Sequence, residues 1–193
     1  MLRIALIRAG ATDFDDQGRI KGTLDLPLNS HGVQQADKTA SEVLELPISA
    51  IYCSPCQAAD RTAAAIGGKL GIKPKSLDLL ANVDHGLWHG RLIEEVRQTQ
   101  PRVYRQLQEH PETVCPPNGE PLVAAEQRVR TVVDKLRRKH PVGVIAIVVP
   151  EPMTSLLHSY LSHTELGDLW KAECECGGWE VLEVKPEKVA VAD

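Results

Sequence analysis

Cys53-Ser54-Pro55-Cys56 has the Cys-x-x-Cys spacing that lets two thiolates share a zinc ion or form a redox pair. His85 and His89 would add nitrogen ligands if the fold brought them to the same mouth. Arg8 closes a short apolar run, so its guanidinium belongs at a strand end, where α/β folds place their chemistry. Cys115 and the Cys174-x-Cys176 pair show no partner spacing. Five cysteines, an odd and low number, suggest free thiols in a reducing, cytoplasmic compartment rather than disulfides.

The elements that must position these groups follow from periodicity. Leu2 to Ile7 is short, apolar and rich in branched residues, which predicts a buried strand ending at Arg8 and Gly10. Ser30 is placed to cap a helix through Val33, Ala36, Ala40, Val43 and Leu44, and Pro47 stops it. Ile48 to Cys53 reads as a second strand. Ser54 then reads as an N-cap and Pro55 as the first helical residue, where a missing N–H does no harm, with an alanine-rich helix running on to Gly71. Val129, Val132, Val133 and Leu136 mark one stripe of a helix from about Glu120 to Lys139. Val142 to Val149 is the most apolar strand and is predicted to be central. Pro150 and Pro152 lie in the turn to a helix carrying Leu156, Leu157, Tyr160 and Leu161, and Trp179 to Val184 alternates like a last strand. Strands alternating with helices predict an α/β fold, a mainly parallel sheet covered on both faces, with any site at the C-terminal strand ends.

A chain of 193 residues can bury one substantial core, so residues 1–193 are read as a single domain. The hydrophobic fraction of 42% and charged fraction of 25% are those of an ordinary soluble protein. A net charge of -4 and a pI near 6.0 argue against a nucleic-acid binder, which needs a basic surface. The basic run Lys135 to His140 reads as a solvated helix end. No apolar stretch approaches the roughly 20 residues that cross a bilayer, and MLRIALIRAG reads as a strand rather than a targeting segment. Folding is expected throughout, with the tail after Pro186 as the exception.

Several blocks, in order from residue 2 to about residue 162, resemble the histidine phosphatase superfamily of the phosphoglycerate-mutase type. Leu6-Ile7-Arg8-Ala9-Gly10-Ala11-Thr12 is similar to that family's opening strand and Arg-His-Gly-Glu-Thr, with Ala9 in the histidine's place. Arg19-Ile20-Lys21-Gly22-Thr23-Leu24-Asp25-Leu26-Pro27-Leu28, then Gly32 and Gln35-Ala36, resembles the second block, Arg-x-Gln-Gly-x-x-Asp-x-Pro-Leu before a helix. Cys53 to Ala63 looks like Ser-Ser-Pro-Leu-x-Arg-Ala-x-x-Thr-Ala, with Ala58 where the phosphate-binding arginine belongs. Leu80 to Gly90 resembles Leu-x-Glu-x-Asp-Phe-Gly-x-Trp-Glu-Gly, with Asn82 in place of the proton-donor glutamate. Val144 to Val149 followed by Pro150-Glu151 lines up with the strand ending Ser-His-Gly, so that Pro150 takes the second histidine's place.

The resemblance implies a three-layer αβα sandwich of the phosphoglycerate-mutase type and a remnant pocket of Arg8, Gly10, Thr12, Lys21 and Gly22. In the family, a neutral imidazole takes the phosphoryl group, arginines and a second histidine hold its oxygens, and a carboxylic acid protonates the leaving oxygen. Ala9 has no nucleophilic atom, Ala58 no donor, Asn82 no acidic proton, and Pro150 neither an imidazole nor a backbone N–H. Losing the nucleophile alone costs on the order of 10⁶ in turnover. The expectation is a catalytically inactive, cytoplasmic pseudoenzyme that binds an unknown protein or small molecule, without cofactor or metal and with a homodimer open. A single replacement would suit a substrate trap; four inert replacements point to natural loss.

The family's serine and leucine at Cys53 and Cys56 favour packing cysteines, Cys56 on the helix face, over a metal or redox site. Its phenylalanine at His85 favours a packed, hydrogen-bonded histidine there. Trp88 and Trp170 read as packing residues. Two alternatives stay open: an enzyme repurposed around Arg8, Asn82, Glu151 or Cys53 and Cys56, and residual phosphatase activity.

Overall fold

The computed structural model describes residues 1–173 and 175–184. Among these residues five strands form one sheet: β1 (Leu2–Arg8), β2 (Ile48–Cys53), β3 (Lys75–Ser76), β4 (Gly143–Val149) and β5 (Trp179–Glu183), in spatial order β3-β2-β4-β1-β5. The first four are parallel, and β5 runs antiparallel along the outer edge of β1. The helices are α1 (Asp13–Gln17), α2 (Ser30–Glu42), α3 (Gln57–Leu70), α4 (Ile93–Thr99), α5 (Pro101–Glu109), α6 (Leu122–Lys139), α7 (Met153–Ser162) and α8 (Leu169–Glu173).

The period of two along each strand sorts the core into two layers. Leu2, Ile4 and Leu6 of β1, with Ile145, Ile147 and Val149 of β4, face Val129, Val132, Val133 and Leu136 of α6 and Leu156 and Leu157 of α7. Ala5 and Ile7, with Val144, Ala146 and Val148, face Ala40 of α2 and Ala58, Ala59, Ala63 and Ile66 of α3. Because β4 is covered on both faces, its apolar run is unbroken, as predicted for a central strand. Each of its larger side chains contributes about 1.5–3 kcal/mol by burial. The result is the predicted three-layer αβα sandwich.

Several element boundaries differ from the sequence reading, each for a local reason. Asn29, not Ser30, caps α2, because its Oδ1 accepts from the Gly32 N–H at 2.8 Å. The α3 helix begins at Gln57 rather than at Pro55, since the Asp25 carboxylate from a distant loop accepts from the Gln57 N–H at 2.7 Å. A capping group supplied by tertiary contact makes a local serine cap unnecessary. β4 starts at Gly143, whose φ of 99° turns the chain into the sheet and leaves Val142 exposed. The tail after Pro186 and Cys174 lie outside the described residues.

One close approach positions everything that follows. A Cβ on Gly10 would stand 2.4 Å from the Gly32 carbonyl oxygen, and one on Gly32 would stand 2.1 Å from that of Ala11. Only glycines let the chain leaving β1 lie flat against the start of α2. No helix among the described residues is long and apolar enough to cross a membrane.

Candidate functional site

The C-terminal ends of β1, β2 and β4 meet the loop after β1 and the turn into α7 in one cleft. Ala9, Gly10, Thr12, Lys21, Gly22, Ala58, Asn82 and Pro150 all line it, together with Asp15, Leu24, Leu26, Cys56, Glu151 and Glu175. The blocks read from the sequence are thus brought together. The cleft's volume is about 20 Å³, room for about one water.

Arg8 adjoins this cleft with its guanidinium already engaged. Its Nε donates to Glu151 Oε1 at 2.6 Å, and its Nη2 lies 3.3 Å from Glu175 Oε2. Glu151 Oε2 accepts from both the N–H and the Oγ of Ser155, at 3.0 and 2.8 Å. Since Glu151 only accepts, the geometry suits its ionised form. Burial still pushes its carboxyl above the usual range, against the pull of Arg8 and Ser155. Burial also opposes the charge on Arg8, but the Glu151 bond and the charges of Glu151, Glu175 and Glu180 prevail and raise its pKa.

Beside this pair lies a second buried network. Lys21 Nζ contacts the Asp15 carboxylate and donates to the Glu173 carbonyl at 3.1 Å, while the Lys21 backbone N–H donates to Glu173 Oε1 at 3.0 Å. Asp15 Oδ2 accepts from the Thr12 N–H and Oγ, at 2.7 and 2.8 Å. Arg8 and Lys21 are therefore faced by five carboxylates, those of Glu151, Glu175, Glu180, Asp15 and Glu173. Backbone donors are spent as well: Ala9 N–H on Val149 O at 2.9 Å, Gly10 N–H on Thr62 Oγ1 at 3.1 Å and Ala11 N–H on Gln35 Oε1 at 2.8 Å.

Asn82 serves as a brace. Its amide donates to the carbonyls of Gly22 and Glu151, each at 2.9 Å, and its Oδ1 accepts from the Met153 N–H at 3.3 Å. One side chain thus ties the loop after β1 to the turn that presents Pro150 and Glu151.

The cysteines and histidines do not form a ligand set. Cys56 is not on a helix face as expected; it is the N-cap of α3 and lines the cleft, because α3 starts two residues later than its sequence suggests. Burial pushes the Cys53 thiol up to about 11 and raises that of Cys56, which disfavours the thiolates that zinc or redox chemistry needs. His85 and His89 stack edge to face with ring centroids 6.5 Å apart. His89 Nε2 accepts from the N–H groups of His85 and Thr23, at 3.2 and 3.3 Å, and burial lowers its pKa. His85 is buried as expected, but neither ring nitrogen makes a hydrogen bond among the described residues; its Nε2 instead stands 3.6 Å from Glu173 Oε2, within ion-pair range. No cluster of three His, Cys, Asp or Glu side chains among the described residues is arranged to hold a metal ion. Trp88 and Trp170 pack against each other with centroids 5.9 Å apart, and Tyr104 stacks on Trp170.

Glu173, Glu175 and Ser155 carry no motif and were not found from sequence. Asp15 had a weak signal, a carboxylate three residues after Thr12 at a helix start. Glu173 offers a test of the network. Burial opposes its charge, but His85 and Lys21 outweigh that and hold its carboxyl below the usual range. A depressed carboxyl stabilises the fold above its unfolded pKa, about 4.3, and that stabilisation is lost as pH falls through the folded value. Glu173→Gln should therefore melt below wild type at pH 7, and the gap should close on acidification towards pH 3. Thermal melts across that range check this; a gap constant with pH would mean that Glu173 contributes no charge.

A model of the histidine phosphatase superfamily (branch 1) matches residues 4–193. Phosphoserine phosphatase 1 of Hydrogenobacter thermophilus is 26% identical over 97% of this chain and 89% of its own length. The adenosylcobalamin/alpha-ribazole phosphatase of Escherichia coli is 23% identical over 95% of this chain and 90% of its own. Among solved structures, Bacillus stearothermophilus YhfR superposes with a TM-score of 0.85 at 25% identity, covering 96% of this chain and 92% of that one.

Proposed function

We propose, from the premise that the chain belongs to the histidine phosphatase superfamily, that it is a member without phosphoryl-transfer chemistry, serving as a binding or regulatory module. The observation that carries this reading is the state of Arg8. A guanidinium that would hold a phosphoryl group is bound instead by Glu151 and Glu175, which with Ala9 line a cleft with room for about one water. A phosphate entering there would meet the buried Glu151 carboxylate already on Arg8 and the Asp15 carboxylate already on Lys21. Three missing charge-assisted contacts, from the places of Ala9, Ala58 and Pro150, remove about 5–9 kcal/mol of binding, at about 1.5–3 kcal/mol each. The alternative of a repurposed enzyme gains little support, because Asn82, Glu151 and Arg8 are all committed to internal partners and the two thiols are held protonated.

A second reading is favoured by one fact: the relatives that match nearly the whole chain are named as phosphatases. One experiment separates the two. The purified protein, supplied with 4-nitrophenyl phosphate and with phosphoserine, should release no phosphate above the buffer blank. It should also carry no acid-labile phosphoenzyme. A rate that survives repurification and falls in Arg8→Lys would establish the phosphatase reading.

A further inference from the structure

The two carboxylates on Arg8 differ in what holds them. Glu151 is wholly buried, 2.6 Å from Nε, whereas Glu175 is 45% exposed and 3.3 Å from Nη2 of a side chain that is itself 31% exposed. Separating Arg8 from the inner partner would strand the buried Glu151 carboxylate. Removing the outer one strands nothing, because water solvates both groups. We infer that the outer edge of Arg8 is a binding site for a small monocarboxylate with a short apolar tail, which takes the place of Glu175. This rests on the reading above, since it requires that Arg8 no longer serve phosphate.

Charge selects the ligand class. Glu151 already neutralises Arg8 and Glu175 stays on the chain when it swings aside, so a monoanion adds a single negative charge there. A phosphate dianion would add two beside Glu151, Asp15 and Glu173, where Arg8 and Lys21 are already paired. Shape agrees, because a planar carboxylate matches the edge of a guanidinium. The tail is suggested by the adjoining cleft, which Glu151 and Glu175 line together with the apolar Leu24, Leu26, Ala9, Ala58 and Pro150. Room comes from the exchange itself, as Glu175 forms part of the wall of a cleft of about 20 Å³. The Glu175 backbone can stay, anchored by its N–H on Ala172 O at 2.8 Å and by Gly177 N–H on Ala9 O at 2.9 Å. Only its half-exposed side chain must swing outward. So small a mouth suits a short acid better than a peptide.

The test titrates the full chain and Glu175→Ala with butanoate, acetate, sulfate and phosphate at constant ionic strength, following the amide signals of Gly10 and Gly177. Glu175→Ala should bind butanoate at least tenfold more tightly than wild type does, and acetate several-fold more weakly than butanoate. Arg8→Lys in the same background should lose most of that affinity, because the fork is gone. Sulfate and phosphate should give no saturable shift. No gain in Glu175→Ala, or oxyanions binding as well as butanoate, would overturn the assignment. A dipeptide with a free carboxylate outbinding butanoate would overturn its small-molecule part. Failure here in a chain without phosphatase turnover sinks only this inference, whereas turnover would sink the reading beneath it.

Discussion

Ala9→His, Ala58→Arg, Asn82→Glu, Pro150→His and Glu151→Gly made together are expected to give a protein that binds vanadate and forms an acid-labile phosphoenzyme. The same variant with Glu151 left in place is expected to do neither. The first four substitutions return the groups that the sequence blocks mark as missing. They would leave Arg8 bonded to Glu151 at 2.6 Å, with a fixed carboxylate in competition with the phosphoryl oxygens. A nucleophile and an arginine facing an occupied receptor have no stabilised transition state to reach. Glycine at 151 removes that competitor and follows the family's Ser-His-Gly.

Asn82→Glu is the member most able to harm the fold, because a carboxylate cannot donate to the carbonyls of Gly22 and Glu151 that Asn82 now serves. Two buried acceptors left unpaired cost about 1–3 kcal/mol each. The variant that keeps Asn82 is therefore made in parallel. It lacks the proton donor, worth about 10²–10⁴ in rate, but should still show vanadate binding. If both variants melt cooperatively and neither binds vanadate, the cleft has been rebuilt in shape as well as in chemistry.

Arg8→Met should destabilise the fold markedly. It leaves the wholly buried Glu151 side chain without its cation, which costs roughly 3–5 kcal/mol, with the lower end expected because Arg8 is partly exposed. For a domain of this size a loss of about 3 kcal/mol lowers the melting temperature by roughly 6–12 °C. Arg8→Met/Glu151→Leu should recover most of that loss, since the replaced pair leaves no buried charge. The sign with pH is also fixed. Without Arg8 the Glu151 carboxyl rises further above its unfolded pKa, so the single variant's deficit should shrink as pH falls and the carboxyl takes up a proton. Melts at pH 7 and pH 4 check both points. A double variant no more stable than Arg8→Met would mean that the pair is not what Arg8 contributes.

Local pattern sufficed for the layers of this protein. The short apolar run Leu2 to Ile7 marks β1 as a buried strand, and the unbroken apolar run of β4 requires cover on both sides. The order and spacing of the blocks were enough to gather Ala9, Lys21, Ala58, Asn82 and Pro150 at one cleft, because each block ends or follows a strand whose place in the sheet is set by the fold. The same reading identified which of those positions hold residues without donors or nucleophilic atoms.

What occupies the cleft was decided by tertiary structure alone. Glu151 meets Arg8 across 143 positions, and the Glu173 carboxylate meets the Lys21 backbone across 152. Glu175 lies on a segment with no motif. A carboxylate's effect depends on how deeply it is buried and which cation it faces, and neither quantity has a period or spacing in the chain. For the same reason Asp25 could displace the expected cap of α3, and Cys56 with it, to the rim of the cleft. The sequence determined which groups this protein lacks for phosphate; folding at long range determined that carboxylates of its own stand against the arginine that remains.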